Sequence, residues 1–286
     1  MEYVTLNNGV KMPVLGYGVY KISSRDCVEC VQNAVRVGYR LIDTAQIYDN
    51  EEAVGTAVRK SGVPRHDFFL TTKIWLTNDR YKTAAASIEQ SLRKLQTDYI
   101  DLLLIHQPKR RDYHEIYPAM EVAYKAGKVR AIGVSNFYRD RFEDLTRSCE
   151  IMPAVNQMEM HVFQQQKSLH EFLKGCGTQI EAWAPFAEGR RNYFQNPVLT
   201  GIGAKYQKTA AQTALRFLFQ QGAVSIPKTV HWEQMQENFN IFDFSLSHED
   251  CVQIEQLDEG QTLYASQMHN ESGTWLRANP DTLEVF

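Results

Sequence analysis

Eight short strand-forming runs recur along the chain, each followed by a stretch of helical period, and nothing between them reads as a linker. The runs are LGYGVY, YRLIDTA, FFLTTKIW, YIDLLLIH, VRAIGVSN, PAVNQMEM, TQIEAWAP and AVSIPK. Several are continuous apolar runs rather than alternating ones, as expected of parallel strands buried on both faces. The spacing predicts helices over 26–37, 51–59, 81–95, 115–126, 139–149, 166–175, 209–220 and 232–239. In the third of these Ala84, Ile88, Leu92 and Leu95 line one face, and Gly38 and Gly127 stop the first and fourth. Eight such units close into a (β/α)8 TIM barrel, an α/β fold for which roughly 250 residues is typical, and 286 residues suit it. One domain over 1–286 is expected, opened by a β-hairpin, YVTLNNGVKMPV, around an Asn-Asn-Gly turn.

Two segments lie outside the repeat: an insertion at 186–204 after the seventh strand, and a tail at 260–286 carrying Tyr264, Met268, Trp275 and Leu276. In barrels such loops sit over the mouth at the strand C-termini, so the tail is expected as a C-terminal loop there. Its apolar residues can wall a pocket or pack on the barrel's side, and the sequence leaves both open.

A net charge of −3 without a basic stripe argues against a nucleic-acid partner. The cluster Lys109, Arg110, Arg111 is short enough for a local anion contact and no more. No apolar run approaches the ~20 residues that span a bilayer, and MEYVTLNNG lacks the apolar region of a signal peptide. A cytoplasmic monomer acting on a small molecule, with no membrane partner, is expected. The five cysteines are odd in number and without framework spacing. Cys27 and Cys30 form a CxxC, yet with Val31, Ala34 and Val35 they follow the stripe of an amphipathic helix and read as core. No metal site is expected.

Three polar residues close successive strand-like runs: Asp43, Lys73 and His106, with Tyr48 just beyond the first. If the strands are parallel neighbours, their ends meet at one mouth. A carbonyl attacked by hydride develops negative charge on oxygen and needs a proton donor there. Tyr48 is a candidate acid, but a free phenol has a pKa near about 10. A neighbouring cation favours the phenolate, so Lys73 is expected to lower that value, with Asp43 holding Lys73 charged. His106 can donate to the same oxygen or help relay the proton.

The runs GYRLIDTAQIYDNEEAVG, TTKIW, DYIDLLLIHQP, KVRAIGVSNF and SIPKT, in this order over nearly the whole chain, resemble the aldo-keto reductase family. The chain looks closest to its bacterial branch of 2,5-diketo-gluconate reductases and prostaglandin F synthase-like enzymes. The resemblance implies an NADPH-dependent oxidoreductase that reduces aldehydes and ketones, with NADPH/NADP bound on the barrel and Asp43, Tyr48, Lys73 and His106 as its tetrad. It further implies Ser135, Asn136 and Gln157 on the nicotinamide carboxamide and Trp183 stacked on the ring. Pro227, Lys228 and Thr229 match the turn at the 2′-phosphate, and Glu237 and Asn238 the adenine pair. Tyr20, Trp75 and Gln107 match substrate-lining positions.

One departure is Gln234, where the family usually has Arg. It implies a narrower preference for NADPH over NADH, with His231, Arg190 or Arg191 as compensating groups. Two other readings stand beside this one: a Schiff-base lyase using Lys73 as nucleophile, and a nicotinamide-sensing barrel with negligible turnover.

Overall fold

The computed structural model describes residues 2–108 and 112–264. A short antiparallel hairpin, β1 (Tyr3–Thr5) and β2 (Lys11–Pro13), precedes eight parallel strands. These are β3 (Gly16–Gly18), β4 (Leu41–Asp43), β5 (Phe69–Ile74), β6 (Ile100–Ile105), β7 (Val129–Ser135), β8 (Val155–Glu159), β9 (Gln179–Trp183) and β10 (Val224–Ser225). Each pairs in sequence order with the next, and a parallel bridge between Leu15 and Ser225 closes the ring. This is the (β/α)8 barrel that the alternation of runs predicts.

The helices are α1 (Ser24–Val37), α2 (Glu51–Lys60), α3 (Tyr81–Leu95), α4 (Tyr113–Lys125), α5 (Arg139–Thr146), α6 (Lys167–Gly175), α7 (Pro197–Lys205), α8 (Ala210–Gln220), α9 (Trp232–Phe239) and α10 (His248–Glu255). Helix α1 starts two residues before the expected 26 because the Ser23 hydroxyl accepts from the Asp26 amide and caps it. Its buried residues are Cys27, Cys30, Val31, Ala34 and Val35, so the CxxC is core, and burial pushes the Cys27 thiol up to about 12. Helices α7 and α10 lie outside the expected set. In α7 the Asn196 side chain accepts from the Val198 and Leu199 amides, with Pro197 as the first helical residue. In α10, Ser247 and Asp250 form a capping box. The last strand is shorter than AVSIPK because Pro227 has no amide hydrogen to donate.

The packing forms two cores. One lies inside the barrel, with Leu41, Phe69, Leu102, Leu104, Ala131, Val155 and Val224 joined by Leu6 and Met12 of the hairpin. The hairpin sits at the N-terminal end, where Asn8 donates to the Arg130 carbonyl and Asn7 to the Pro153 carbonyl. The second, larger core lies between strands and helices. The interior fill leaves the polar residues for the opposite end of the strands. Among the described residues no helix is long and apolar enough to cross a membrane, and no cluster of metal-ligating side chains occurs. Lys109, Arg110, Arg111, Met268, Trp275 and Leu276 lie outside the described residues.

Gly133 shows how tightly the ring is drawn. A Cβ there would stand 2.3 Å from the Val155 carbonyl oxygen and 2.9 Å from Leu104 Cδ2, so β7 can approach β8 only with a glycine. Gly133→Ala is expected to destabilise the protein by at least about 1–3 kcal/mol, read as a lowered midpoint in urea. Gly175→Ala, in open space at the end of α6, should be neutral or slightly stabilising in the same measurement.

Candidate active site

Strands β4, β5 and β6 are neighbours, so Asp43, Lys73 and His106 meet at one end of the ring. Tyr48 ends a short 3-10 turn, Gln46–Tyr48, that folds back over them. The turn is held from several sides. Gln46 Oε1 accepts from the Trp75 amide and from Asn78 Nδ2, while Asn50 donates to the Val19 and Ile22 carbonyls and accepts from Thr44.

Lys73 is fully buried, and its ammonium donates to Asp43 Oδ1 at 2.5 Å, the Thr44 carbonyl at 2.9 Å and Tyr48 Oη at 3.4 Å. Burial is the largest single influence and pulls its pKa down, but Asp43, through charge and hydrogen bond, together with Tyr48 and Glu181 holds the lysine above its ordinary value. For Tyr48 the balance runs the other way from the sequence expectation. Desolvation raises the phenol above its usual value, and Lys73 pulls it only part of the way back. The phenol therefore holds its proton firmly. The pKa of His106 falls well below 6.5, first through burial and then through Lys73, so the ring is neutral. Its Nδ1 is buried without a partner. The Tyr48 and His106 rings meet edge to face at 5.7 Å, Trp75 stands 5.0 Å from His106, and Tyr20 lies 4.9 Å from Tyr48.

The second half of the barrel continues the site. Gln157 Nε2 donates to Asp43 Oδ2 and to Glu181 Oε2, each at 2.8 Å. Asn136, at φ +65°, donates to the His106 carbonyl and to Ser135 Oγ, and its Oδ1 accepts from Trp183 Nε1 at 2.9 Å. Ser135 in turn donates to the Gln157 carbonyl. Both amides thus spend their hydrogens within the protein, leaving the Gln157 oxygen and the second lone pair of Asn136 Oδ1, whose first accepts from Trp183, as acceptors for an N–H from outside.

A cavity of about 1100 Å³ runs from Tyr48, His106, Trp75, Gln107 and Tyr20 past Trp183 to Lys228, Thr229, Gln234, Glu237 and Asn238. Gly18 lines it, and because a Cβ there would stand 2.9 Å from the Ile226 carbonyl oxygen, β3 can approach that segment only with a glycine. Pro227 is off the cavity wall; its carbonyl accepts from the Gly18 amide and fixes the turn. Thr229 Oγ1 donates to Gln234 Oε1 and accepts from the His231 amide, so its hydroxyl is already engaged. Lys228 is exposed beside it.

Arg190 and Arg191, the compensating groups expected from the sequence, are both engaged away from Lys228. Arg190 donates to the Leu263 carbonyl and lies over the Tyr264 ring, and Arg191 pairs with Glu259. Both are held by the segment leading into the tail, whose Tyr264 packs against Trp183 at 5.0 Å and lines the cavity. Of the tail's apolar residues, Tyr264 is therefore a wall of the pocket.

Sequence reasoning missed Glu181, Glu159 and Lys21. Glu159 accepts from Thr262 and from the Leu263 amide, and Lys21 pairs with Glu188 across the cavity at 3.3 Å. A signal existed for Glu181, since a carboxylate within the strand run TQIEAWAP is unusual enough to need a purpose.

Residues 14–259 match the model of the aldo/keto reductase family. The chain is 46% identical to the glyoxal reductase of Bacillus subtilis over 261 residues, covering 91% of this chain and 94% of that one. It superposes on the crystal structure of an aldo-keto reductase from a Medee basin deep-sea metagenome library with a TM-score of 0.90 at 40% identity, covering 91% of this chain and 97% of the other. A silkworm (Bombyx mori) aldo-keto reductase complexed with NADPH gives a TM-score of 0.87 at 34% identity, covering 91% and 89%. The chain therefore belongs to the aldo/keto reductase family of oxidoreductases.

Proposed function

We propose that the protein reduces small aldehydes, 2-oxoaldehydes among them, to alcohols with NADPH as the reductant. The observation that carries this reading is the unbroken cavity joining the Asp43–Lys73–Tyr48–His106 cluster to Lys228. NADPH supplies the hydride when bound. Tyr48 donates its proton to the carbonyl oxygen as negative charge develops there, and the ammonium of Lys73 stabilises the phenolate that is left. Neutral His106 donates a hydrogen bond to the same oxygen and orients it. Its depressed pKa favours this donor role over a protonated acid.

The acceptor oxygens of Asn136 and Gln157 suit a carboxamide N–H, and Trp183 offers a flat face beside them. Lys228 supplies the charge for a 2′-phosphate. With Gln234 turned onto Thr229, the second, forked cation is missing, and the margin over NADH narrows. Glu237, braced by Thr209, and buried Asn238 take the adenine end.

At the other end Tyr20, Trp75 and Tyr264 leave room for a compact substrate, and Gln107 gives a polar edge beside His106. The glyoxal reductase relative supports a short dicarbonyl as substrate. A Schiff-base role for Lys73 is disfavoured, because an amine held charged by Asp43 has no free lone pair. Aldehyde-dependent oxidation of NADPH tests the proposal. Binding of NADPH without turnover across a panel of aldehydes would favour a sensing barrel instead.

Tyr48→Phe is expected to lower kcat by roughly 10²–10⁴ while leaving the NADPH dissociation constant, read by Trp fluorescence, within a few-fold. Lys228→Ala should lower kcat/KM for NADPH by roughly tenfold or more, the worth of a charged hydrogen bond, and leave that for NADH almost unchanged. The neutral form of His106 persists until the pH falls through its depressed value. The reduction rate should therefore show no falling limb centred at 6.5 as the pH is lowered; a limb there would assign the ring an ordinary pKa and remove its proposed donor role.

A further inference from the structure

Beneath the tetrad lies a carboxyl group that the proposed reaction does not use. Glu181 is the middle residue of β9 and is fully buried. Its Oε2 accepts from Gln157 Nε2, whose other hydrogen goes to Asp43 Oδ2. One amide thus bridges two carboxyl groups, and a continuous line of contacts runs from Glu181 through Gln157, Asp43 and Lys73 to Tyr48. Glu181 Oε1 is buried with no partner at all.

The charges of this pocket decide the state of Glu181. Lys73 is the cation here, and it already faces Asp43 at 2.5 Å. From β8 comes Gln157, which is neutral; from β10 come Val224 and Ser225, which carry no charge. Tyr48 holds its proton. A second anion would have no cation of its own, and an unsolvated carboxylate oxygen is far costlier to bury than a carboxylic acid. A proton on Glu181 removes that conflict.

We propose that Glu181 is a positioning residue for the proton donor, a carboxyl that stays protonated beneath the tetrad while the enzyme reduces its substrate and that, once ionised, opposes loss of the proton from Tyr48. The reading rests on the reductase function proposed above. Desolvation, and after it Asp43, push the carboxyl up to about 8, against weaker pulls from Gln157 and Lys73. The field acts in both directions: an ionised Glu181 raises the values of Tyr48 and Lys73 alike. Below the transition Glu181 is neutral and Tyr48 passes its proton to the forming alkoxide under the field of Lys73. Above it, the new anion makes the phenolate harder to form, so reduction weakens. In the reverse oxidation, where the phenolate is the base, the rising limb moves to higher pH.

Glu181→Gln tests this, since glutamine keeps the size of the side chain and an acceptor for Gln157 but cannot ionise. The quantity to measure is the ratio of variant to wild-type kcat for aldehyde reduction against pH, whatever its absolute level. The ratio is expected to rise several-fold between pH about 7 and about 9, with its midpoint near 8. A ratio that stays constant with pH, even if uniformly low, overturns the proposal, because a purely structural role would give that.

The wild-type protein supplies a second reading that needs neither the variant's folding nor turnover. Infrared difference spectra should show a carboxylic-acid C=O band lost with a midpoint near 8. Carboxyl bands that all vanish in the ordinary range, near about 4, overturn the proposal as well. A protein that shows the band and turns over no aldehyde refutes the reductase reading and leaves protonated Glu181 standing. An active enzyme with a flat ratio refutes the role of Glu181 alone.

Discussion

The rest of the site depends on one buried ion pair. Lys73 is fully buried, and an ammonium in that position is tolerable only because Asp43, the Thr44 carbonyl and Tyr48 Oη surround it with oxygens. Breaking such a pair by removing one partner typically costs about 3–5 kcal/mol, so the geometry is not free to relax. The pair requires β4 and β5 to be neighbours and requires the turn at Gln46–Tyr48 to fold over them. The proton transfer proposed rests on that constraint, which raises Lys73 and adds to the depression of His106 that burial begins.

The remainder of the mouth is fastened by polar clips as well as by ring packing. Asn136 fastens β7 to Trp183 and to the His106 carbonyl, and Gln157 fastens β8 to Asp43 and Glu181. The clips use up the amide hydrogens, and one lone pair of Asn136 goes to Trp183, so what remains at the cavity is acceptor capacity, which sets what kind of ligand atom can approach. On the far rim, Glu159 accepts from Thr262 and Leu263, while Arg190 reaches the Leu263 carbonyl and the Tyr264 ring. The approach to the tail is thereby drawn over the mouth, and Tyr264 becomes a wall beside Trp183.

Much of this was legible in the sequence because local patterns carried it. The period of the α1 stripe told that Cys27 and Cys30 are core, and the strand-end positions of Asp43, Lys73 and His106 placed them together. Helix α7 was missed within a stretch rich in Gly, Arg and Asn, although Asn196-Pro197 is a start signal. Helix α10 was missed although Ser247 and Asp250 announce a cap. The direction of the Tyr48 shift was also misjudged. A neighbouring cation can be inferred from spacing, whereas the amount of protein around a hydroxyl cannot, and here burial outweighs the charge.

By itself the sequence determined the repeated strand–helix unit, hence the parallel barrel, and the strand-end positions that bring Asp43, Lys73 and His106 to one mouth. These follow from short-range rules of periodicity and from which runs can be buried on both faces. Only the tertiary structure decided which polar atoms are spent and which remain. That Thr229 is engaged by Gln234, that Arg190 and Arg191 belong to the rim, and that Glu181 shares Gln157 with Asp43 depend on contacts between residues from 5 to 114 positions apart. The cause is physical: a hydrogen bond or a desolvation depends on distances of a few ångströms in the folded chain, and in sequence these groups have no common pattern.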